Sequence, residues 1–147
     1  MAIDDIRSTC NQLIRRGIDL CHLYRHAVQA VREPGLRAVL DEDAQALAAV
    51  VAELQREVAR SGGEPRTHGS WRAPLRCRLV GSMARAGTRR DSIWIHALAQ
   101  DEGALLRVFE RAVTDLPETF ATGLRRQLPR LRGIHLDMHN LVGAAHS

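Results

Sequence analysis

A chain of 147 residues that is 45% hydrophobic but only 3% aromatic has enough apolar mass for one core, and too few rings to build that core from aromatic layers. This composition argues against a β-sandwich and for helices packed through Leu, Val, Ala and Ile. The net charge of +4 rests on 21 basic residues, all of them Arg, an excess spread too thinly to define a nucleic-acid footprint.

Cys10, Cys21 and Cys77 are odd in number and none stands in a C-x-x-C pair. If Cys10 and Cys21 share a helix they lie roughly 16 Å apart, too far for a disulfide. Reduced thiols are therefore expected. The N-terminal stretch MAIDDIRSTC is acidic and has no apolar signal core, and no apolar run reaches membrane-span length. A cytoplasmic location is expected.

In chain order, the first helix is predicted over residues 6–31, on a stripe of Ile6, Cys10, Leu13, Gly17, Cys21, Tyr24, Val28 and Val31 at helical spacing. Pro34-Gly35 breaks it. The second helix carries Leu36, Leu40, Asp43, Leu47, Val50, Val51, Leu54 and Val58 and stops at Ser61-Gly62-Gly63. The connection is so short that the two helices must run antiparallel. Residues 62–90 form an irregular connector in which Trp71, Leu75, Leu79 and Met83 predict one face of a short helix with Arg on its flanks. A third long helix is predicted from a cap at Asp91 or Ser92, along Trp94, Leu98, Asp101, Leu105, Phe109 and Ala112, to Leu116-Pro117. The last opens at Glu118 or Thr119 and buries Phe120, Leu124, Leu128, Leu131, His135, Met138 and Val142. Pro129 predicts a kink or a displaced start there, and residues 143–147 a frayed tail. The expected fold is thus all-α, one domain of four antiparallel up-and-down long helices and a connector.

Polar residues on these apolar stripes are where function would leave its mark, because a buried carboxylate must be paired, hydrated or metal-bound. Asp43, Asp101 with Glu102, and His135 qualify. They are the candidate metal ligands, as a di-metal carboxylate site would recruit them from facing helices. Such a site takes a Glu-x-x-His from each of two helices. Here Ala46 follows Asp43 by three residues and Arg132 precedes His135 by three, so the set is incomplete and no cofactor is expected; iron or zinc is the alternative.

Asp19, His22 and His26 share another face of the first helix, where His at i and i+4 suits zinc, but a fourth ligand is missing and a solvated surface is the plainer reading. His135 and His139 form a similar pair. No nucleophile elbow and no phosphate-binding glycine loop occurs, so an enzyme is not expected. Arg72, Arg76, Arg78, Arg85, Arg89 and Arg90 crowd the connector beside Trp71 with no acidic residue between. That segment reads as an amphipathic lid, the alternative being contact with nucleic acid or an anionic membrane through Arg72, Arg76, Arg78 and Arg85.

The order of signals resembles an uncharacterised bacterial family of ferritin-like proteins, a domain of unknown function. The likeness spans nearly the whole chain. It rests on Asn11 to Ile14, Tyr24 with Ala27, Glu33-Pro34 before Leu36, Ala52-Glu53-Leu54 with Val58, Gly62-Gly63-Glu64-Pro65 before Gly69-Ser70, Glu102 ahead of Phe109, Leu116-Pro117, Gln127 and His135. It implies a ferritin-like four-helix bundle, with Glu102 and His135 at recurring polar positions. Cys21 stands where relatives tend to carry Glu, and Ala99 where they carry an acidic residue, which implies a degenerate metal site. The resulting expectation is a non-enzymatic scaffold or homo-oligomer, a dimer at its simplest, with metal binding through Glu102, His135, Asp101 and Asp43 as the alternative.

Overall fold

The computed structural model describes residues 2–146. They form α1 (Ile3–Ala30), α2 (Pro34–Arg60), α3 (Arg72–Ala86), α4 (Arg90–Asp115) and α5 (Glu118–His146), and no strand occurs among the described residues.

Local chemistry sets these boundaries. The carboxylate of Glu33 caps α2, accepting from the backbone N–H of Gly35 at 2.9 Å and of Leu36 at 2.6 Å. Pro34 follows in the first turn, where its missing donor is no loss. At the other end of α2, Gly62 N donates to Ala59 O at 3.0 Å and Gly63 N to Val58 O at 3.1 Å. This paired closure needs a left-handed residue, and Gly62 supplies it with φ of 85°. Asp91 lies inside α4 rather than capping it. Its two oxygens instead accept from Arg32 N at 2.9 Å and Glu33 N at 3.1 Å, clamping the α1–α2 turn. The last helix starts at Glu118 and runs through Pro129 without interruption, so the displaced start does not occur. It also extends through residues 143–146, where a frayed tail was expected; Ser147 lies outside the described residues.

The connections at 31–33 and 116–117 are too short for anything but antiparallel neighbours. Among the long helices α1 packs on α2 and α4, and α5 packs on α2 and α4, while the diagonal pairs stand apart. The fifth helix, α3, lies outside this ring against α1 and α4. One cluster of buried residues joins all five, with Leu13, Leu23, Leu40, Leu47, Leu98, Phe109, Leu124 and Leu131 at its centre. Between α1 and α2, Gly17 permits a close approach. A Cβ there would stand 2.6 Å from Cγ2 of Val51, inside any ordinary contact distance.

Replacing Gly17 with Leu is therefore expected to lower unfolding stability by about 1–3 kcal/mol or more. Adding Val51→Ala should recover part of the loss, a coupling that urea denaturation of the two single variants and the double variant would measure.

Candidate functional site

Three of the long helices turn a polar side chain to a shared interior, and the fourth meets them with a histidine at the rim. Tyr24 comes from α1, Asp43 from α2, Glu102 from α4 and His135 from α5. Glu102 is 2% exposed although charged in type, because it follows Leu98 by one helical turn and so occupies the same apolar stripe. Its Oε2 lies 2.7 Å from Nδ1 of His135, whose side chain is 48% exposed. Together they connect a buried carboxylate to the surface through a single imidazole. Asp43, on the α2 stripe, is 4% exposed.

Burial pushes the Asp43 carboxyl up to about 8, and the hydrogen-bonded Asp137 side chain with the charges of Asp137, Glu42 and Glu102 adds to the rise. For Glu102 burial also raises the carboxyl, against the opposing pull of the His135 hydrogen bond and the positive charges of His135 and Arg107. Tyr24, fully buried, is held well above the usual phenol range, by burial first and then by the charges of Asp43, Glu102, Asp137 and Cys21. Tyr24 Oη, Asp43 Oδ2 and Glu102 Oε1 are buried without a protein hydrogen-bond partner. Such atoms attract water or a small hydrogen-bonding ligand, since leaving them bare costs about 1–3 kcal/mol each.

Of the four carboxylate and imidazole positions singled out from sequence, the fold brings Glu102 and His135 into contact and turns Asp43 to the same interior. Asp101 goes elsewhere. One residue before Glu102 it is rotated about 100° around the helix, and it forms a two-point ion pair with Arg76 of α3 at 2.6 and 2.7 Å. His135 sits on the rim rather than in the core, where Leu131, Ile134 and Met138 are buried instead. His139 is exposed. Among the described residues, the set of three or more His, Cys, Asp or Glu whose ligand atoms lie within 4.8 Å of one another is His22, His26 and Cys77, and the four predicted positions do not form such a set.

Reading the sequence missed the Tyr24 hydroxyl and Asp137. Tyr24 fits an apolar stripe by its ring, and Asp137 falls on an exposed position. The three cysteines are free and buried. Burial raises the thiols of Cys10 and Cys21 to about 11, so both are protonated and unreactive at neutral pH.

A second feature lies on α3. Its inward face consists of Cys77, Val80, Gly81 and Ala84, and the small size of Gly81 lets the helix lie against the Trp94 ring. The larger side chains point out. Trp71 is 73% exposed, Leu75 53%, Leu79 60% and Met83 54%. The four fall on one helical stripe, as the sequence predicts, but the stripe faces away from the body and not onto it. Arg72 stacks over the Trp71 ring at 5.3 Å. Beside the start of α3, a cleft of about 410 Å³ between α1, α3 and α4 is lined in part by Arg16, Arg72, Arg76 and Asp101.

Compared with known proteins, residues 5–115 match the model of a family described as Domain of unknown function (DUF2383). No curated protein and no solved structure matches the chain.

The raised Asp43 carboxyl ties folding stability to pH. Folding takes up a proton at Asp43 over the window between its unfolded pKa near 4 and its folded value of about 8. Its contribution is fully present below the lower limit and declines as pH rises through the upper one, by at most about 1.4 kcal/mol per pH unit. Asp43→Asn is expected to remove this decline, so that the variant gains on the parent chain from pH 5 to about pH 8 and levels off above it in urea denaturation.

Proposed function

The chain belongs to the DUF2383 family, and on that premise we propose that it is a non-enzymatic helical scaffold whose outer α3 face docks onto an anionic lipid surface. In this reading α1, α2, α4 and α5 make an up-and-down four-helix bundle of ferritin-like kind. The neighbour pattern of the helices and their two tight connections support that architecture.

The observation that carries the docking assignment is the exposed crest of Trp71, Leu75, Leu79 and Met83. Soluble surfaces rarely line up large apolar side chains in this way, and such patches mark contact sites. At about 100° per residue, Arg78 and Arg85 flank one side of the crest and Arg72 the other, while Arg76 is held by Asp101 on the side of the body. An apolar ridge bordered by guanidinium groups on both sides matches the acyl boundary and phosphates of a bilayer surface, where each Arg contributes about 1 kcal/mol. Pro74 is compatible with this helix because it stands in the first turn, where no intrahelical donor is required. No helix among the described residues is long and apolar enough to cross a membrane, so the contact is peripheral. A second copy of the chain fits less well, since pairing two α3 faces sets like-charged flanks together. Nucleic acid fits less well too, because the crest places apolar groups where phosphates would lie.

Co-sedimentation with vesicles tests the assignment. Binding is expected to vesicles rich in phosphatidylglycerol and not to pure phosphatidylcholine. It should fall at least tenfold in the double variant Leu75→Glu, Leu79→Glu, and several-fold in Arg78→Glu. Indifference to lipid charge, or full binding by the double variant, would defeat the reading. A parent dimer that becomes monomeric in the double variant would move the face to self-association, and capture of single-stranded RNA in place of vesicles would move it to nucleic acid.

A further inference from the structure

We propose that His22, His26 and Cys77 form a binding site for a thiophilic transition-metal cation, with Zn²⁺ as the best match. The site goes beyond the docking face and shares no side chain with the interior cluster of Tyr24, Asp43, Glu102 and His135.

The two histidines stand one turn apart on α1, so both imidazoles project from the same face. Their rings meet edge to face with centroids 4.7 Å apart. Cys77, on the inward face of α3, arrives from the other side of the α1–α3 contact. One nitrogen from each ring and the sulfur all lie within 4.8 Å of one another. Around a tetrahedral zinc ion such atoms stand about 3.3–3.7 Å apart, as bond lengths near 2.0 Å for nitrogen and 2.3 Å for sulfur require. The remaining gap closes by rotation of side chains, for which His26 is exposed and free to swing.

Donor chemistry narrows the ion. One thiolate and two imidazoles select zinc or a similar soft cation over magnesium, calcium or manganese, which prefer oxygen. Three protein ligands leave the fourth tetrahedral position to water. The electrostatic surroundings are mixed. Arg25 near His22 and Arg76 near Cys77 oppose a cation, whereas Asp19 near both favours one. The Arg76 charge is already matched by Asp101. Burial is the main reason the His22 imidazole is disposed to the neutral form that binds metal, and it also keeps the Cys77 thiol protonated until an ion arrives. Binding therefore converts Zn²⁺ and the Cys77 S–H into a Zn–S bond and releases one proton to solvent. Because the ligands come from α1 and α3, the ion would staple the outer helix to the body.

Untagged full-length chain, titrated with Zn²⁺ against a chromophoric chelator and with Co²⁺ in an absorbance spectrometer, provides the test. One ion per chain is expected, and the cobalt form should show both tetrahedral visible bands and a thiolate-to-cobalt band in the near ultraviolet. Cys77→Ser should abolish the thiolate band, and His26→Ala should weaken zinc at least tenfold. His26 is exposed, so its variant keeps the experiment decisive even if Cys77→Ser fails to fold. His135→Ala, on the interior cluster, should leave both signals unchanged. Less than one ion per chain, a spectrum without the thiolate band, undiminished binding in His26→Ala, or loss of binding in His135→Ala would each overturn the assignment.

Discussion

The arrangement depends on how two helical hairpins are held together at a common end. Each hairpin is closed by a connection of two or three residues, so α1 must return as α2 and α4 as α5. Apolar burial presses the hairpins together but leaves them free to slide. Asp91 limits that freedom. From the first turn of α4 it receives two backbone N–H groups of the α1–α2 turn, at Arg32 and Glu33, while the Glu33 side chain closes the start of α2. Hydrogen bonds to a charged acceptor contribute about 1.5–3 kcal/mol where water is scarce and less at an exposed site such as this one. Their value here lies more in setting register than in energy. With that end set, Glu102 of α4 falls opposite His135 of α5 and on the same interior as Asp43 of α2.

Much of this could be read in advance because helices announce themselves through periodicity. Pro34, the Ser61-Gly62-Gly63 stop and Leu116-Pro117 marked ends that the structure places within a residue or two. Glu102 and Asp43 interrupted apolar stripes, and both are buried. What escaped was azimuth and partnership. Asp101 and Glu102 are neighbours in sequence but look about 100° apart, so only one could join the interior; the presence of Arg76 on α3 decided where the other went. The stripe of Trp71, Leu75, Leu79 and Met83 was plain, yet nothing in one sequence says whether an amphipathic helix sets its bulky or its small face inward. Here Cys77, Val80, Gly81 and Ala84 form the inward face. The meeting of Cys77 with His22 and His26 depends on tertiary packing between residues more than fifty positions apart, which no local pattern encodes.

The interior carboxylates act on the register of the helices. Asp43 Oδ2 and Glu102 Oε1, buried without protein partners, are a cost that aliphatic side chains at the same positions would avoid. A helix slipped by one turn would separate Glu102 from His135 and leave that carboxylate wholly bare, a larger cost again. The cluster therefore penalises wrong registers more than it stabilises the right one. The raised Asp43 carboxyl belongs to the same logic, because a neutral acid can sit beside Glu102 where a second charge could not.

The two tryptophans occupy opposite extremes. Trp94 is 3% exposed within the core, and Trp71 is 73% exposed at the head of the outer helix. Ultraviolet-excited emission from this chain is thus a sum of a shielded blue component and a hydrated red one. A water-soluble quencher reaches the second and spares the first. The molecule consequently carries its own pair of optical reporters, one for the integrity of the interior and one for whatever comes to rest against its surface.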